Sequence, residues 1–136
     1  MKRFIFCVAM ISFLPMVRAN SQSRVTDEYV QHVISEGKQY IVVLLKAGPN
    51  KSLSEDSIAD EQMMHLKYLF TLKEEGKLPI FGPFYNGGDY MGFCIFNSSS
   101  KEEVKNLIEA DPHVKSGYMT YEMFSWFGIP GDGLPK

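Results

Sequence analysis

Cysteine is scarce in this sequence: its 136 residues hold only Cys7 and Cys94. Neither a disulfide framework nor a thiolate metal cluster can be built from that. Basic charge is not in excess either, since 14 Lys and Arg face 16 Asp and Glu for a formal net charge of −2. That argues against a nucleic-acid partner, because no positive field is available to hold a phosphate backbone. No apolar run approaches the roughly 20 residues of a membrane-spanning helix. Gly87-Gly88 reads as a turn rather than a phosphate cradle, because no glycine-rich loop leads directly into a helix. No pair of histidines is spaced by four on a helix, so a zinc site of that kind is not indicated. What the chain does have is core material: 10 Phe, 7 Tyr and 8 Met in a composition 45% hydrophobic and 22% charged. Those figures describe one ordinary folded domain.

Residues 1–19 stand apart from that domain. Lys2 and Arg3 precede an apolar run over residues 4–16, which is 13 residues long and contains Pro15 near its end. The run is short for a bilayer span, and the proline disfavours a continuous helix. Val17-Arg18-Ala19 then offers small or modest side chains where a signal peptidase reads. We read a secretory signal cleaved after Ala19, hence a periplasmic or secreted protein with no membrane contact after cleavage. The mature chain keeps 117 residues and Cys94 as its sole cysteine, which rules out an intramolecular disulfide.

Residues 20–37 form an N-terminal extension with a short amphipathic helix. Val25, Tyr29, Val30, Val33 and Ile34 recur at helical spacing, Thr26 or Asp27 supplies the cap, and His32 falls on the wet side. The main domain covers residues 38–127. Residues 40–45 are an uninterrupted, β-branched-rich apolar run, the pattern of a buried strand. A helix over residues 55–75 carries the stripe Met64, Tyr68, Leu69 and Leu72 and stops at Gly76. Residues 78–81 give a second strand closed by Gly82-Pro83, and residues 90–96 a third. Ser99 or Ser100 caps a second helix with Val104, Leu107 and Ile108 inward, ended by Pro112. A last strand spans residues 118–127, and residues 128–136 are a flexible surface tail.

This order, βαββαβ, predicts an α+β ferredoxin-like unit: a four-stranded antiparallel sheet with two helices on one face, plus the extra N-terminal helix. A sheet covered on one face should alternate apolar and polar residues. Here Tyr40, Val42 and Leu44 are as apolar as Ile41, Val43 and Leu45. The second face therefore needs a cover, most economically the same face of another copy, and we expect a homodimer.

Few residues can carry chemistry. His65 is four residues before Leu69, so it lies on the buried stripe, where a histidine is more often a satisfied core residue than a catalyst. Asp111-Pro112 at a helix boundary is commonly an N-cap followed by proline at the first helical position. If both helices pack on one sheet face, His65 and Asp111 can also meet, and the carboxylate then fixes the imidazole tautomer. His113 reads as an exposed residue at a helix start. Cys94, in mid-strand, reads as a buried inert thiol. Phe84 and Tyr85, just after Gly82-Pro83, are placed at the mouth of a pocket.

The segments His65-Leu66-Lys67-Tyr68-Leu69, Glu75-Gly76-Lys77-Leu78, Gly82-Pro83, Gly92-Phe93 and Glu109-Ala110-Asp111-Pro112 occur in the order of a known family. Over residues 38–127 the chain resembles the YCII-related family of small dimeric α+β barrel proteins. The resemblance implies a sheet-to-sheet dimer and a His–Asp active-site pair at His65 and Asp111. It also implies lyase-like or hydrolytic proton-transfer chemistry, while the signal segment and N-terminal helix depart from the family's plain form.

The expectation is therefore a small-molecule enzyme with a His65–Asp111 dyad, Pro83, Phe84 and Tyr85 contacting the substrate, and no metal or cofactor. The alternative is a non-catalytic ligand-binding or accessory dimer of the cell envelope. Export is checked by intact mass spectrometry of the native protein. Asn20 should be the first residue, and a chain retaining residues 1–19 would contradict the signal reading.

Overall fold

The computed structural model describes residues 25–52 and 54–135. The proposed signal segment, residues 1–19, lies outside the described residues. Helix α1 (Asp27–Ser35) is capped by Thr26, whose hydroxyl accepts the Tyr29 N–H at 3.2 Å. No residue of α1 is buried, and its apolar side, with Tyr29, Val30 and Ile34, faces outward. Strand β1 (Lys38–Ala47) is longer at both ends than the apolar run that announced it. Helix α2 (Glu55–Glu74) starts at Ser54, which accepts the Ser57 N–H.

The buried stripe of α2 is His65, Leu69 and Leu72. Met64, expected on that stripe, is 58% exposed. One residue before His65 means about 100° around the helix, enough to turn Met64 out to solvent. Tyr68 lies at the edge of the stripe, its hydroxyl donating to the Leu107 carbonyl at 2.7 Å. Helix α2 closes on Gly76 at φ +72°, a conformation that favours glycine, and the N–H groups of Lys77 and Leu78 both return to the Leu72 carbonyl. Leu78 is thereby used in the cap, which is why β2 runs Ile80–Pro83 rather than beginning at residue 78.

Strand β3 (Tyr90–Phe96) matches its sequence pattern. Helix α3 (Lys101–Glu109) is capped by Ser100 and ends at Glu109, before the proline expected to end it. Pro112 instead opens a one-turn helix, α4 (Pro112–Lys115), with Asp111 as its N-cap. Strand β4 (Met119–Gly128) completes the domain.

The sheet is antiparallel throughout, in the order β2-β3-β1-β4, the ferredoxin-like arrangement. Ile41, Val43 and Leu45 of β1 stand over Phe96, Cys94 and Gly92 of β3 and face the helices. Leu69 and Leu72 of α2 and Val104 and Ile108 of α3 meet them there, which makes one core. The opposite face carries Tyr40 paired with Trp126, Val42 with Phe124 and Ile95, and Leu44 with Phe93. Phe124 is 49% and Trp126 43% exposed on this open face.

Cys94 is fully buried in the central part of the sheet. Burial, reinforced by the negative charge of Asp111, pushes its thiol up to about 12. Almost no thiolate exists near neutral pH, so the group is inert. An alkylating reagent at pH 8 should leave the Cys94 peptide unmodified until the protein is unfolded. Alkylation of the folded chain at the rate of a free thiol would contradict this packing.

Candidate active site

His65 projects from the middle of α2 and Asp111 from the corner between α3 and α4. The two are 46 residues apart in sequence, yet His65 Nδ1 lies 2.9 Å from Oδ1 and 2.7 Å from Oδ2 of Asp111. Their side chains are 6% and 0% exposed. A carboxylate only accepts, so Nδ1 carries the hydrogen of this contact, and in the neutral ring Nε2 is then the nitrogen with the lone pair. The same carboxylate is also the cap of α4: Oδ1 accepts the His113 backbone N–H at 2.9 Å. The cap and the partner of His65, which stood as alternatives in the sequence, are one group.

His113 departs from expectation. Read as exposed, it is 0% exposed. Because α4 is a single turn whose cap is aimed at α2, its second residue turns inward rather than to solvent. The His113 ring lies flat on His65, with centroids 4.6 Å apart and planes 12° from parallel, and meets Tyr118 edge-on at 4.9 Å. Burial, and next the neighbouring His65, lower its affinity for a proton, against the smaller opposing pull of Asp111 and Glu61. Neither ring nitrogen of His113 has a hydrogen-bond partner among the described residues.

A cavity of about 200 Å³ opens beside His65 between α2 and strands β2 and β3. Leu45, Leu69, Phe81, Met91 and Met119 make most of its wall apolar, and Gln62 and His65 supply polar groups. None of the lining side chains is charged. His65 lines this cavity while Asp111 and His113 do not, so of these three residues only His65 reaches it. Of the three residues expected to touch a substrate, only Pro83 is on the wall. Phe84 stacks on Phe93 with centroids 5.6 Å apart, and Tyr85, in the turn beyond the strand, is 97% exposed. Phe84 is still bonded to β3, its N–H donating to the Met91 carbonyl at 2.9 Å, and its ring sits behind the wall residue Phe93, whereas Tyr85 lies in the exposed turn. Gln62 was not singled out in the sequence; its position three residues before His65, on the same side of α2, is the signal that would have found it. Among the described residues no group of three or more His, Cys, Asp or Glu is arranged to hold a metal ion.

Among solved structures, 5-chloro-2-hydroxyhydroquinone dehydrochlorinase from Burkholderia phenoliruptrix AC1100, in complex with 2,5-dihydroxybenzoquinone, is 27% identical. That match covers 64% of this chain and 92% of the other at a TM-score of 0.49. A muconolactone isomerase is 14% identical, covers 71% of this chain and 97% of its own, and shares the fold at a TM-score of 0.53. A hypothetical Arabidopsis thaliana protein is 16% identical over 74% of this chain and 96% of its own, with a TM-score of 0.39. No curated protein matches the chain. The profile of the YCII-related domain matches residues 40–127, from the first core strand through the last and across both His65 and Asp111, and the chain belongs to that family.

Proposed function

We propose that this protein is a small-molecule enzyme in which His65 acts as general base and acid, oriented by Asp111, on an uncharged, ring-sized compound. The observation that carries this reading is the contact of His65 Nδ1 with both oxygens of the buried Asp111 carboxylate. With Nδ1 committed, Nε2 is free to take a proton from a bound molecule, and the imidazolium so formed is stabilised by the carboxylate behind it. Giving that proton to the leaving group completes an elimination when it was taken from carbon, or a hydrolysis when it was taken from an attacking water, of the lyase or hydrolase type. The wall favours a neutral substrate, since no cation lines it to hold a carboxylate or phosphate, and its volume of about 200 Å³ suits a single ring. Gln62 is the group placed to orient a carbonyl or hydroxyl oxygen.

Two further parts of the reading concern the setting. Two copies pack open sheet face to open sheet face, because burying Tyr40, Val42, Leu44, Phe124 and Trp126 offers about 1.5–3 kcal/mol for each large side chain. Such a dimer works in the cell envelope or outside it, after loss of residues 1–19.

A thermal-shift screen of uncharged monocyclic compounds on the purified protein should yield a stabilising ligand, which then serves as the assay substrate or its mimic. His65→Asn should lower turnover by roughly 10²–10⁴-fold with the fold intact. Asp111→Asn should lose less: the amide caps α4 about as well as the carboxylate, so stability holds, but the anion behind the imidazole is gone. Turnover unchanged in both variants would contradict the dyad. Ligand binding without turnover in the wild type would favour the binding-module alternative. Light scattering at micromolar concentration should give the mass of a dimer, and a monomeric mass would contradict the sheet-to-sheet packing.

A further inference from the structure

His65 is held at its edge by Asp111, but an edge contact alone does not hold a ring. A bond from Nδ1 to a carboxylate leaves the imidazole free to rock about its Cβ–Cγ bond, a broad torsion for aromatic rings. What limits that rocking is whatever lies on the ring faces. On one face lies His113, parallel within 12° at a centroid distance of 4.6 Å.

Three observations say that the face of His113, rather than its nitrogens, is what the site uses. Both ring nitrogens are buried and bond to none of the described residues, so the ring transmits nothing through a hydrogen bond of its own. A second ring, Tyr118, meets His113 in an edge-to-face contact at 4.9 Å and 61° and fixes its orientation. Its backbone N–H is bonded to Asp111 Oδ1, the atom that also receives His65 Nδ1 at 2.9 Å. The carboxylate thus sets the height of both rings at once, and α4 delivers the second ring flat against the first. Burial and the neighbouring imidazole also lower the affinity of His113 for a proton.

We propose that His113 is the positioning residue of the dyad: a flat ring, fixed by Asp111 and Tyr118, that holds the His65 imidazole in the plane where Nδ1 meets the carboxylate and Nε2 meets the cavity. The proposal rests on the dyad reading given above and adds to it the part that Asp111 cannot supply. An aromatic ring without nitrogens should do the same work, and an aliphatic side chain of similar volume should not.

The test uses the full chain, labelled with ¹⁵N, and reads the His65 ring directly by proton–nitrogen correlation spectra, so that no substrate is needed. In the wild type His65 should show one tautomer, with the hydrogen on Nδ1 and its resonance shifted downfield by the carboxylate. His113→Phe should keep that signature. His113→Leu, which fills the space without a flat face, should lose the downfield Nδ1 proton and show both tautomers; His113→Ala should do the same. The Leu variant keeps the test decisive if the Ala variant does not fold, and circular dichroism establishes that Phe and Leu variants are equally folded. A Leu variant with the wild-type spectrum overturns the proposal, since His113 would then be filling volume only. A Phe variant that loses the signature also overturns it, because the nitrogens would then be required. A wild-type His65 protonated on Nε2 instead overturns the dyad itself, which separates failure of that reading from failure of this one.

Discussion

The Asp111 carboxylate is the constraint on which the rest of the site depends. It does two jobs with two oxygens: it caps α4 through the His113 N–H and it receives His65 Nδ1 on both oxygens. A buried carboxylate is costly unless its lone pairs are used, and here the cap and the imidazole use them. The consequence is geometric. The short helix α4 cannot shift without moving the carboxylate, and the carboxylate cannot shift without releasing the histidine of α2. Two segments 46 residues apart are thereby locked together beside the cavity.

The fold supplies the other half of the site. Helix α2 is long because its polar surface and its cap at Ser54 allow it to run from Glu55 to Glu74, and its inward stripe places His65 one turn before Leu69. Below that stripe β1 and β3 present Leu45, Gly92 and Cys94, and the edge strand β2 adds Phe81 and Pro83. Among the described residues, the polar and thiol groups of that wall belong to His65, Gln62 and the inert Cys94. An apolar, uncharged cavity raises the weight of each polar contact made within it, because little water competes. The open face of the sheet is of a different character. It is largely apolar, and it ends in the Lys46–Glu122 ion pair at 3.0 Å, with Tyr90 donating to the same carboxylate.

Much of this was legible in the sequence. The uninterrupted apolar run over residues 40–45 placed β1 as a buried strand without saying which face meets the helices, the Ser99-Ser100 cap signal and Val104–Ile108 spacing placed α3, and the turn at residues 86–88 placed β3. The resemblance pointed to His65 and Asp111, while the residues alone left each with an ordinary structural explanation. What was not legible depended on directions that periodicity does not encode. Met64 and His65 are neighbours, and only the packed helix shows which one faces in. His113 follows a proline in a helix of one turn, too short for any apolar stripe to declare its side. Phe84 and Tyr85 follow a strand whose end sets where they go, and β2 begins two residues later than its apolar pattern because Leu78 is spent on closing α2.

The central claim is that Nε2 of His65 is the atom a bound molecule meets. The most direct measurement is a crystal structure of the protein with an uncharged monocyclic ligand bound. The account predicts an oxygen or acidic C–H group of that ligand against His65 Nε2, with a polar atom at about 2.6–3.2 Å, while Nδ1 keeps its contact with Asp111. A ligand seated in the cavity with its reactive groups turned away from His65, or one bound elsewhere on the chain, would contradict it.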